Sequence, residues 1–355
     1  MLRRAAVSTS SAFLAALVAA ASDGSAQANR YRQVDAPLPP PHLNGGAWGE
    51  MIQVRVGPED HVYVLHRCFK VVLGDPGVKP GHSDGLTPDC LGRWAVHPPI
   101  LEFDANGRFV NSYGVGLVAR PHGFAVDHEG NMWVADAGVV PGEKGSTVTK
   151  LSPEGQVLMV LGTPGVTGRG RDTFDEPTSV AVAPTGEIYV TDGEANNDRV
   201  VKFAPDGRYL TEWGELGTGP GQFDNPHDIQ VDARGRVLVA DRGNDRIQIF
   251  DADGRFLQQW TNFGRPSGIY VNRATNTLYS TDSQSNTQNN PGVRRGIYVG
   301  SLITGEITDF IPDPDLDWAD RTRISGASGI AANSTDTVIY AADVAPFRLR
   351  MYRRQ

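Results

Sequence analysis

Two histidines stand at equivalent places in the sequence, each directly after a proline and at the start of an apolar segment with strand character. They are His122 and His227. Neutral imidazole is a good zinc ligand, and a catalytic zinc site uses three protein ligands and keeps one position open. The pair therefore indicates part of a divalent-metal site. The alternative is that each ring is a hydrogen-bonded residue at a strand entrance and holds no metal.

Two arginines, Arg67 and Arg242, occupy a second pair of equivalent places, just past the end of an apolar segment. A guanidinium can bind a carboxylate through two parallel hydrogen bonds. These residues would then hold a substrate carboxylate near the histidines. The alternative is that each arginine pairs with a neighbouring acidic side chain, as Arg242 could with Asp241 or Asp245.

Two consecutive copies of one pattern show which elements would position these residues. The copies cover residues 177–214 and 226–260. In the second copy, Ile229 and Val231 alternate with polar residues, as in a strand with one buried face. The continuous apolar run at 237–240 indicates a strand that is covered on both faces. With the turns that separate these segments, each copy predicts four short antiparallel strands.

A four-stranded unit repeated about every 40–50 residues is typical of a β-propeller. Weaker copies begin at residues 51, 121, 266 and 327, which makes six units. The sequence therefore predicts an all-β fold, a six-bladed β-propeller. The last unit has only three strands, and an unpaired edge strand invites aggregation. We expect residues 31–34 to supply the missing outer strand and to close the ring.

The inner strand pairs of the six units end at one polar position, which is an aspartate in five of them. These residues are His66, Asp136, Asp192, Asp241, Asp282 and Asp343. We interpret the aspartate as a structural residue that accepts hydrogen bonds from the backbone of a neighbouring turn.

The start of each innermost strand lines the central channel of a propeller, so residues at this repeat position converge in space. The position is occupied by Ile52, His122, Thr178, His227, Ser267 and Ser328. The two histidines come from alternate blades, and we expect their rings to face one axis.

The first 28 residues differ in character from the repeats. Arg3 and Arg4 precede an apolar run at 12–21, and the small residues at 26–28 resemble a cleavage site, so we expect residues 1–28 to be a secretory signal peptide. The run is too short to span a membrane. Residues 29–355 would then be a single propeller domain in a periplasmic or secreted protein. A formal net charge of −8 disfavours a nucleic-acid partner.

The two cysteines of the chain, Cys68 and Cys90, fall in a Gly- and Pro-rich insertion at residues 68–99 of the first blade. In an exported protein a disulfide between them is the leading interpretation. A pair of free buried thiols is the alternative.

The repeats resemble NHL repeats, and five segments together resemble the lyase half of peptidylglycine α-amidating enzymes. The segments are RPHGF at 120–124, DEPTSVAV at 175–182, YVTDG at 189–193, GPGQFDNPH at 219–227 and VADRGNDRI at 239–247. The resemblance implies a six-bladed propeller with a catalytic zinc held by three histidines and a structural calcium on the axis. It implies cleavage of a peptidyl-α-hydroxyglycine to a peptide amide and glyoxylate.

By position, His122 and His227 match two of the zinc ligands of that family, and Arg67 and Arg242 match its two arginines. The third histidine and the aspartate after it are replaced by Ser328 and Gly329, which removes one zinc ligand and one calcium ligand.

A tyrosine that serves the substrate in that family is replaced here by Glu194. Glu194 could take over proton transfer, or it could complete the metal site. His82 and His97 of the insertion are the other candidates for the missing ligand.

These observations predict an exported, amidating-lyase-like propeller. It would use zinc or another divalent metal, while a calcium site is disfavoured, and it would act as a carbon–heteroatom lyase on a small or peptidyl carboxylate substrate. One alternative is a non-catalytic propeller that binds a protein, peptide or glycan. Another is a lactonase-like hydrolase, but such an enzyme places acidic and Asn side chains on the axis, and the channel position is poor in both.

Overall fold

The computed structural model describes residues 30–43, 46–67, 97–314 and 326–355. Within them, 24 strands form six four-stranded sheets whose strands run antiparallel. This confirms the predicted all-β, six-bladed propeller. The segment predicted to be a signal peptide, the two cysteines and most of the insertion, His82 included, lie outside the described residues.

The first strand of each blade is the innermost strand. These strands are β2 (Met51–Val56), β6 (Pro121–Val126), β10 (Pro177–Val182), β14 (Pro226–Val231), β18 (Pro266–Asn272) and β22 (Gly326–Ala332). The second strands are β3 (Val62–His66), β7 (Met132–Val140), β11 (Ile188–Asp192), β15 (Val237–Asp241), β19 (Thr277–Asp282) and β23 (Val338–Ala345).

The third and fourth strands complete each blade toward the outside of the ring. The third strands are β4 (Ile100–Phe103), β8 (Lys144–Leu151), β12 (Arg199–Phe203), β16 (Arg246–Phe250), β20 (Gly296–Ser301) and β24 (Arg348–Arg354). The outer strands are β5 (Phe109–Tyr113), β9 (Val157–Leu161), β13 (Tyr209–Trp213), β17 (Phe256–Trp260), β21 (Ile307–Pro312) and, in the sixth blade, β1 (Tyr31–Val34).

The ring closes through the N-terminal strand, as predicted. β1 pairs with β24, with Tyr31 opposite Arg354 and Val34 opposite Met351. The sixth blade is therefore built from both ends of the propeller, and the outer edge of β24 is covered.

Apolar side chains fill each of the six interfaces between neighbouring blades. Between the second and third blades, Trp133 and Val148 pack with Val180 and Val190. Burying one such side chain fully contributes about 1.5–3 kcal/mol. Because every blade is packed on both faces, the inner strands are held in fixed positions around the axis.

The shared aspartate of the second strand has the predicted structural role in the second to fifth blades. Asp136 accepts hydrogen bonds from the backbone N–H groups of Ala119 and Arg120, both at 2.6 Å, just before β6. Asp241 accepts one from Asp224, at 2.8 Å, just before β14. In the first blade His66 takes this place, and its Nδ1 accepts a hydrogen bond from the Gly49 N–H at 3.3 Å. In the first five blades this residue ties the start of the inner strand to the strand beside it. In the sixth blade Asp343 instead accepts hydrogen bonds from Arg348 and Arg350 of β24.

Candidate metal centre

The residues of the channel position surround the axis near one end of the inner strands, as the repeat alignment predicts. All six are buried: Ile52, His122, Thr178, His227, Ser267 and Ser328. His122 and His227 are each only 4% exposed, although they lie on strands of different blades. Their rings meet at a centroid distance of 4.8 Å and an interplanar angle of 76°.

Backbone carbonyls hold both imidazole rings from behind. His122 Nδ1 lies 2.8 Å from the carbonyl oxygen of Thr178, and His227 Nδ1 lies 2.5 Å from that of Ser267. A carbonyl oxygen only accepts hydrogen bonds, so each Nδ1 carries the proton and donates it. Each Nε2 is therefore left with a lone pair. This is the tautomer of a histidine that binds a metal through Nε2 while a backbone partner orients the ring.

Glu194 lies opposite these two lone pairs. The residue follows β11 in a loop that is anchored by the Glu194 N–H to the carbonyl oxygen of Glu176, at 3.3 Å. Its Oε2 is 3.7 Å from His122 Nε2 and 3.9 Å from His227 Nε2. The three side chains have donor atoms that all lie within 4.8 Å of one another.

This donor set fits a zinc ion. Two histidines and one glutamate are the protein ligands of one class of catalytic zinc site, and ligands at about 2.0–2.1 Å from a tetrahedral ion lie about 3.4 Å apart. The distances from Glu194 to the two rings are a few tenths of an ångström longer than that. Lone pairs that face a carboxylate with no proton between them repel it, and a cation bound by all three groups removes the repulsion.

The protonation states of the three groups suit a metal site. Burial lowers the pKa of His122 to about 4, although Glu194 partly offsets the effect. Burial, followed by the charge of Arg242, also lowers the pKa of His227 well below its ordinary value. Both rings are therefore neutral near pH 7.

Glu194 is ionised there. Burial alone would raise the pKa of its carboxyl, but the charge of Arg242, followed by His122, His227 and Arg120, lowers it well below the ordinary range. Since both imidazoles are neutral, Arg242 is the main group that keeps this carboxylate charged.

The two arginines predicted to hold the substrate differ in how many partners their side chains have in the structure. The side chain of Arg242 is 12% exposed, and its only hydrogen bond or ion pair among the described residues is a 3.4 Å contact from Nη2 to Glu194 Oε2. The side chain of Arg67 makes two shorter contacts in comparison. Its Nη1 is 2.9 Å from Glu50 Oε1, and its Nε donates to the carbonyl oxygen of Pro121 at 3.1 Å.

Two further polar residues lie at the site that the sequence reasoning missed. Arg120 pairs with Glu176 at 2.6 Å and contributes to the charge around Glu194. Asn225 Nδ2 lies 3.5 Å from Glu194 Oε2, while its buried Oδ1 has no hydrogen-bond partner among the residues that the structure describes. Both residues directly precede the proline of an inner strand, so the repeat alignment could have found them as a second ring of residues.

The candidates for a third ligand are now distinguished by position. Glu194 belongs to the donor group, and His97 influences the pKa of the buried His66 in the first blade. His82 lies outside the described residues.

Over the part of the chain that the structure describes, no helix has the length and apolar character required to cross a membrane.

Comparison with known proteins agrees with the fold and with the resemblance. The NHL repeat family model matches residues 174–203 and 223–250. NHL repeat-containing protein 3 of Mus musculus is 42% identical over 152 residues, which are 41% of this chain and 43% of that protein. Peptidyl-glycine alpha-amidating monooxygenase of Mus musculus is 39% identical over 152 residues, 40% of this chain and 15% of that protein.

A probable peptidyl-alpha-hydroxyglycine alpha-amidating lyase of Caenorhabditis elegans is 33% identical over 139 residues, 38% of either chain. The matched segment thus spans less than half the length of each of these relatives. A solved streptogramin B lyase shares the fold, with a TM-score of 0.52 at 14% identity over 92% of this chain and 98% of that one. The chain contains NHL repeats and is homologous to the amidating lyases and to NHL repeat-containing protein 3.

Proposed function

We propose that this NHL-repeat propeller, a homologue of the amidating lyases, is a divalent-metal-dependent lyase for a small or peptidyl carboxylate substrate. The observation that carries the proposal is the meeting of His122, His227 and Glu194 at one end of the channel. Zinc is the metal that this donor set favours. Of the roles considered for Glu194, we assign it that of the third ligand, because a carboxylate with a strongly lowered pKa is a weak base.

The chain's own residues prepare the site before any metal binds. The carbonyl groups of Thr178 and Ser267 fix both imidazoles in the tautomer with Nε2 free, so no ring has to turn or lose a proton. A bound divalent ion would polarise a hydroxyl or carbonyl oxygen of the substrate. Three protein ligands leave a coordination position open for that oxygen.

Arg242 is the residue that we assign to the substrate carboxylate. Burial lowers the pKa of its guanidinium, which is the mark of a charge with too few partners. A carboxylate placed beside it would gain charge-assisted hydrogen bonds close to the metal ligands. For Arg67, the ion pair with Glu50 supports a positioning role at the start of β6 instead.

For the substrate we propose a peptidyl-α-hydroxyglycine, the compound named in the description of the nematode relative. Its terminal carboxylate would bind Arg242 and its hydroxyl would face the donor group. Breaking the C–N bond while the hydroxyl proton is transferred to the departing amide nitrogen, and the hydroxyl oxygen becomes the aldehyde oxygen, gives a peptide amide and glyoxylate. We further propose that the protein acts in the periplasm or outside the cell, with Cys68 and Cys90 joined as a disulfide.

The test joins metal analysis with an assay for glyoxylate release from an α-hydroxyglycine peptide. We expect about one zinc ion per chain and metal-dependent release of glyoxylate. His122→Ala or Glu194→Gln should weaken zinc binding at least about 10–100-fold, the loss that follows removal of even an outer-shell partner. His128→Ala is the matched control, because His128 lies at the opposite end of the channel. Zinc content that His122→Ala leaves unchanged would refute the proposed site.

A second candidate is a binding propeller without catalysis. The engagement of Arg67 by Glu50 and the similarity to NHL repeat-containing protein 3 favour it. In that case the channel end would present Arg242 to a protein, peptide or glycan partner. Zinc-loaded protein that binds a peptide carboxylate but releases no glyoxylate would select this candidate over the lyase.

A further inference from the structure

One buried ion pair crosses the axis of the propeller. Arg55 lies on β2 in the first blade and Asp228 on β14 in the fourth, and these blades are opposite each other in a ring of six. Arg55 is 3% exposed and Asp228 is fully buried. Arg55 Nη2 lies 3.0 Å from both carboxylate oxygens of Asp228.

The layer of the channel that contains Asp228 holds a single carboxylate. One residue past the histidine position, the six blades contribute Gln53, Gly123, Ser179, Asp228, Gly268 and Gly329. Calcium takes six to eight oxygen ligands, several of them usually carboxylates. A calcium ion on the axis, which the family resemblance implies, would find one carboxylate here.

The oxygens of Asp228 are already saturated by protein donors. Besides Arg55, they accept hydrogen bonds from Gln53 Nε2 at 3.2 Å and Ser179 Oγ at 2.7 Å. The backbone N–H groups of Ile229 and Ile269 each donate at 2.9 Å. The carboxylate therefore accepts six hydrogen bonds, more than its roughly four lone-pair sites can serve separately.

The blade that would supply a second carboxylate has no space for one. A Cβ atom added to Gly329 would come within 2.6 Å of the Cα of Gln53 and 2.8 Å of the Val54 nitrogen. Only a glycine fits against this stretch of β2. The residues present do not fit a calcium ion on the axis.

Arg55 supplies the positive charge instead, and the channel layer at the level of Arg55 has room for its side chain. Its Nη1 donates to Gln53 Oε1 at 2.6 Å and to the carbonyl oxygen of Ile330 at 3.1 Å, so the guanidinium also reaches the sixth blade. Three of the other blades place an alanine at the level of Arg55, which leaves room for the long side chain: Ala125, Ala181 and Ala331.

We propose that Arg55 is the built-in cation of the propeller axis: its guanidinium stands in the place of a structural divalent ion and ties opposite blades through Asp228. The chain then needs no calcium for its stability. Arg55 also lines a cavity of about 260 Å³ at the far end of the channel, together with Val126, Val182 and Tyr270. Shortening Arg55 would open Asp228 toward this cavity and create a cation site that the natural chain does not have.

The experiment is a calcium titration of the zinc-saturated full chain, with the melting temperature and bound calcium as readouts. Zinc saturation prevents calcium from reporting on the candidate metal centre. For the natural chain we expect no bound calcium and an unchanged Tm up to about 5 mM, above the dissociation constants of the weakest protein calcium sites. The proposal would be overturned if the natural chain bound one calcium ion and the Asp228→Asn variant bound none.

Arg55→Ala should lower Tm by about 5–10 °C, because it leaves a buried carboxylate unpaired, and calcium should restore part of the loss. The double variant Arg55→Ala/Asp228→Asn should show no calcium response. Arg199→Ala is the matched control, since Arg199 is equally buried and pairs with Asp192 at 3.0 Å within the third blade. An Arg55→Ala protein with the natural Tm, or with the same calcium response as Arg199→Ala, would contradict the proposal. If Arg55→Ala does not fold, the calcium titration of the natural chain still decides.

Discussion

His66 should make the protein sensitive to acid, and the effect can be isolated from the other titrating groups. The ring is 1% exposed and packs edge-on against Trp48 at a centroid distance of 5.4 Å. Its Nδ1 accepts a hydrogen bond from the Gly49 N–H, so a proton at that atom would break the bond. Burial lowers the pKa of His66 to about 3, against 6.5 for an unperturbed imidazole.

The sign and size of the effect follow from linkage. Because the folded-state pKa is depressed, the unfolded chain binds the proton first, and stability falls as the pH drops below about 6.5. At about 1.4 kcal/mol per pKa unit, the loss from this one group is about 2 kcal/mol at pH 5 and approaches about 5 kcal/mol below pH 3.

The assay is urea denaturation of the natural chain and of His66→Gln at pH 7 and at pH 5. Glutamine keeps an acceptor for Gly49 but does not titrate. Burial raises the pKa of Asp136 and of Asp192 to about 6, and these groups act in the opposite direction, but they are common to both proteins. The difference in stability between the two proteins should therefore shift by about 2 kcal/mol in favour of the variant. A difference that is the same at both pH values would refute the reasoning. His128→Gln controls for the loss of an imidazole elsewhere.

Three other predictions follow from the contacts. Arg242→Met should raise KM for carboxylate substrates about 10–100-fold, the value of one charge-assisted hydrogen bond, whereas Arg67→Met should mainly lower Tm. Arg199→Met should lower the free energy of unfolding by about 3–5 kcal/mol in denaturation experiments, because it leaves the buried Asp192 carboxylate without its ion-pair partner. Removing β1 should lower Tm and promote aggregation in light-scattering measurements, because it exposes the edge of β24.

The fold could be predicted almost completely from the repeats. The alternation around Ile229 and the continuous run after Val237 set the strand period. The shared aspartate marked the end of the second strand in three blades, whereas β7 and β23 continue past it to Val140 and Ala345. Closure by β1 followed from counting three strands in the last unit. These features are local or periodic, so they are visible in a single sequence.

The candidate site was only partly predictable. The repeat alignment predicts that His122 and His227 lie close together, because equivalent positions of the inner strands face the same part of the propeller axis. The position of Glu194 depends on a loop whose path the repeat pattern does not specify. The pairing of Arg67 with Glu50 and the crossing of the axis by Arg55 are contacts between distant segments, and they depend on side-chain packing that the strand pattern does not encode.

X-ray absorption spectroscopy of the zinc-loaded protein tests the proposed metal centre most directly. The spectrum should show two imidazole ligands and otherwise only oxygen donors, and Glu194→Gln should change the oxygen shell while both imidazoles stay bound. A spectrum with fewer than two imidazoles would contradict the account. So would one with sulfur ligands, which would place the metal at Cys68 and Cys90.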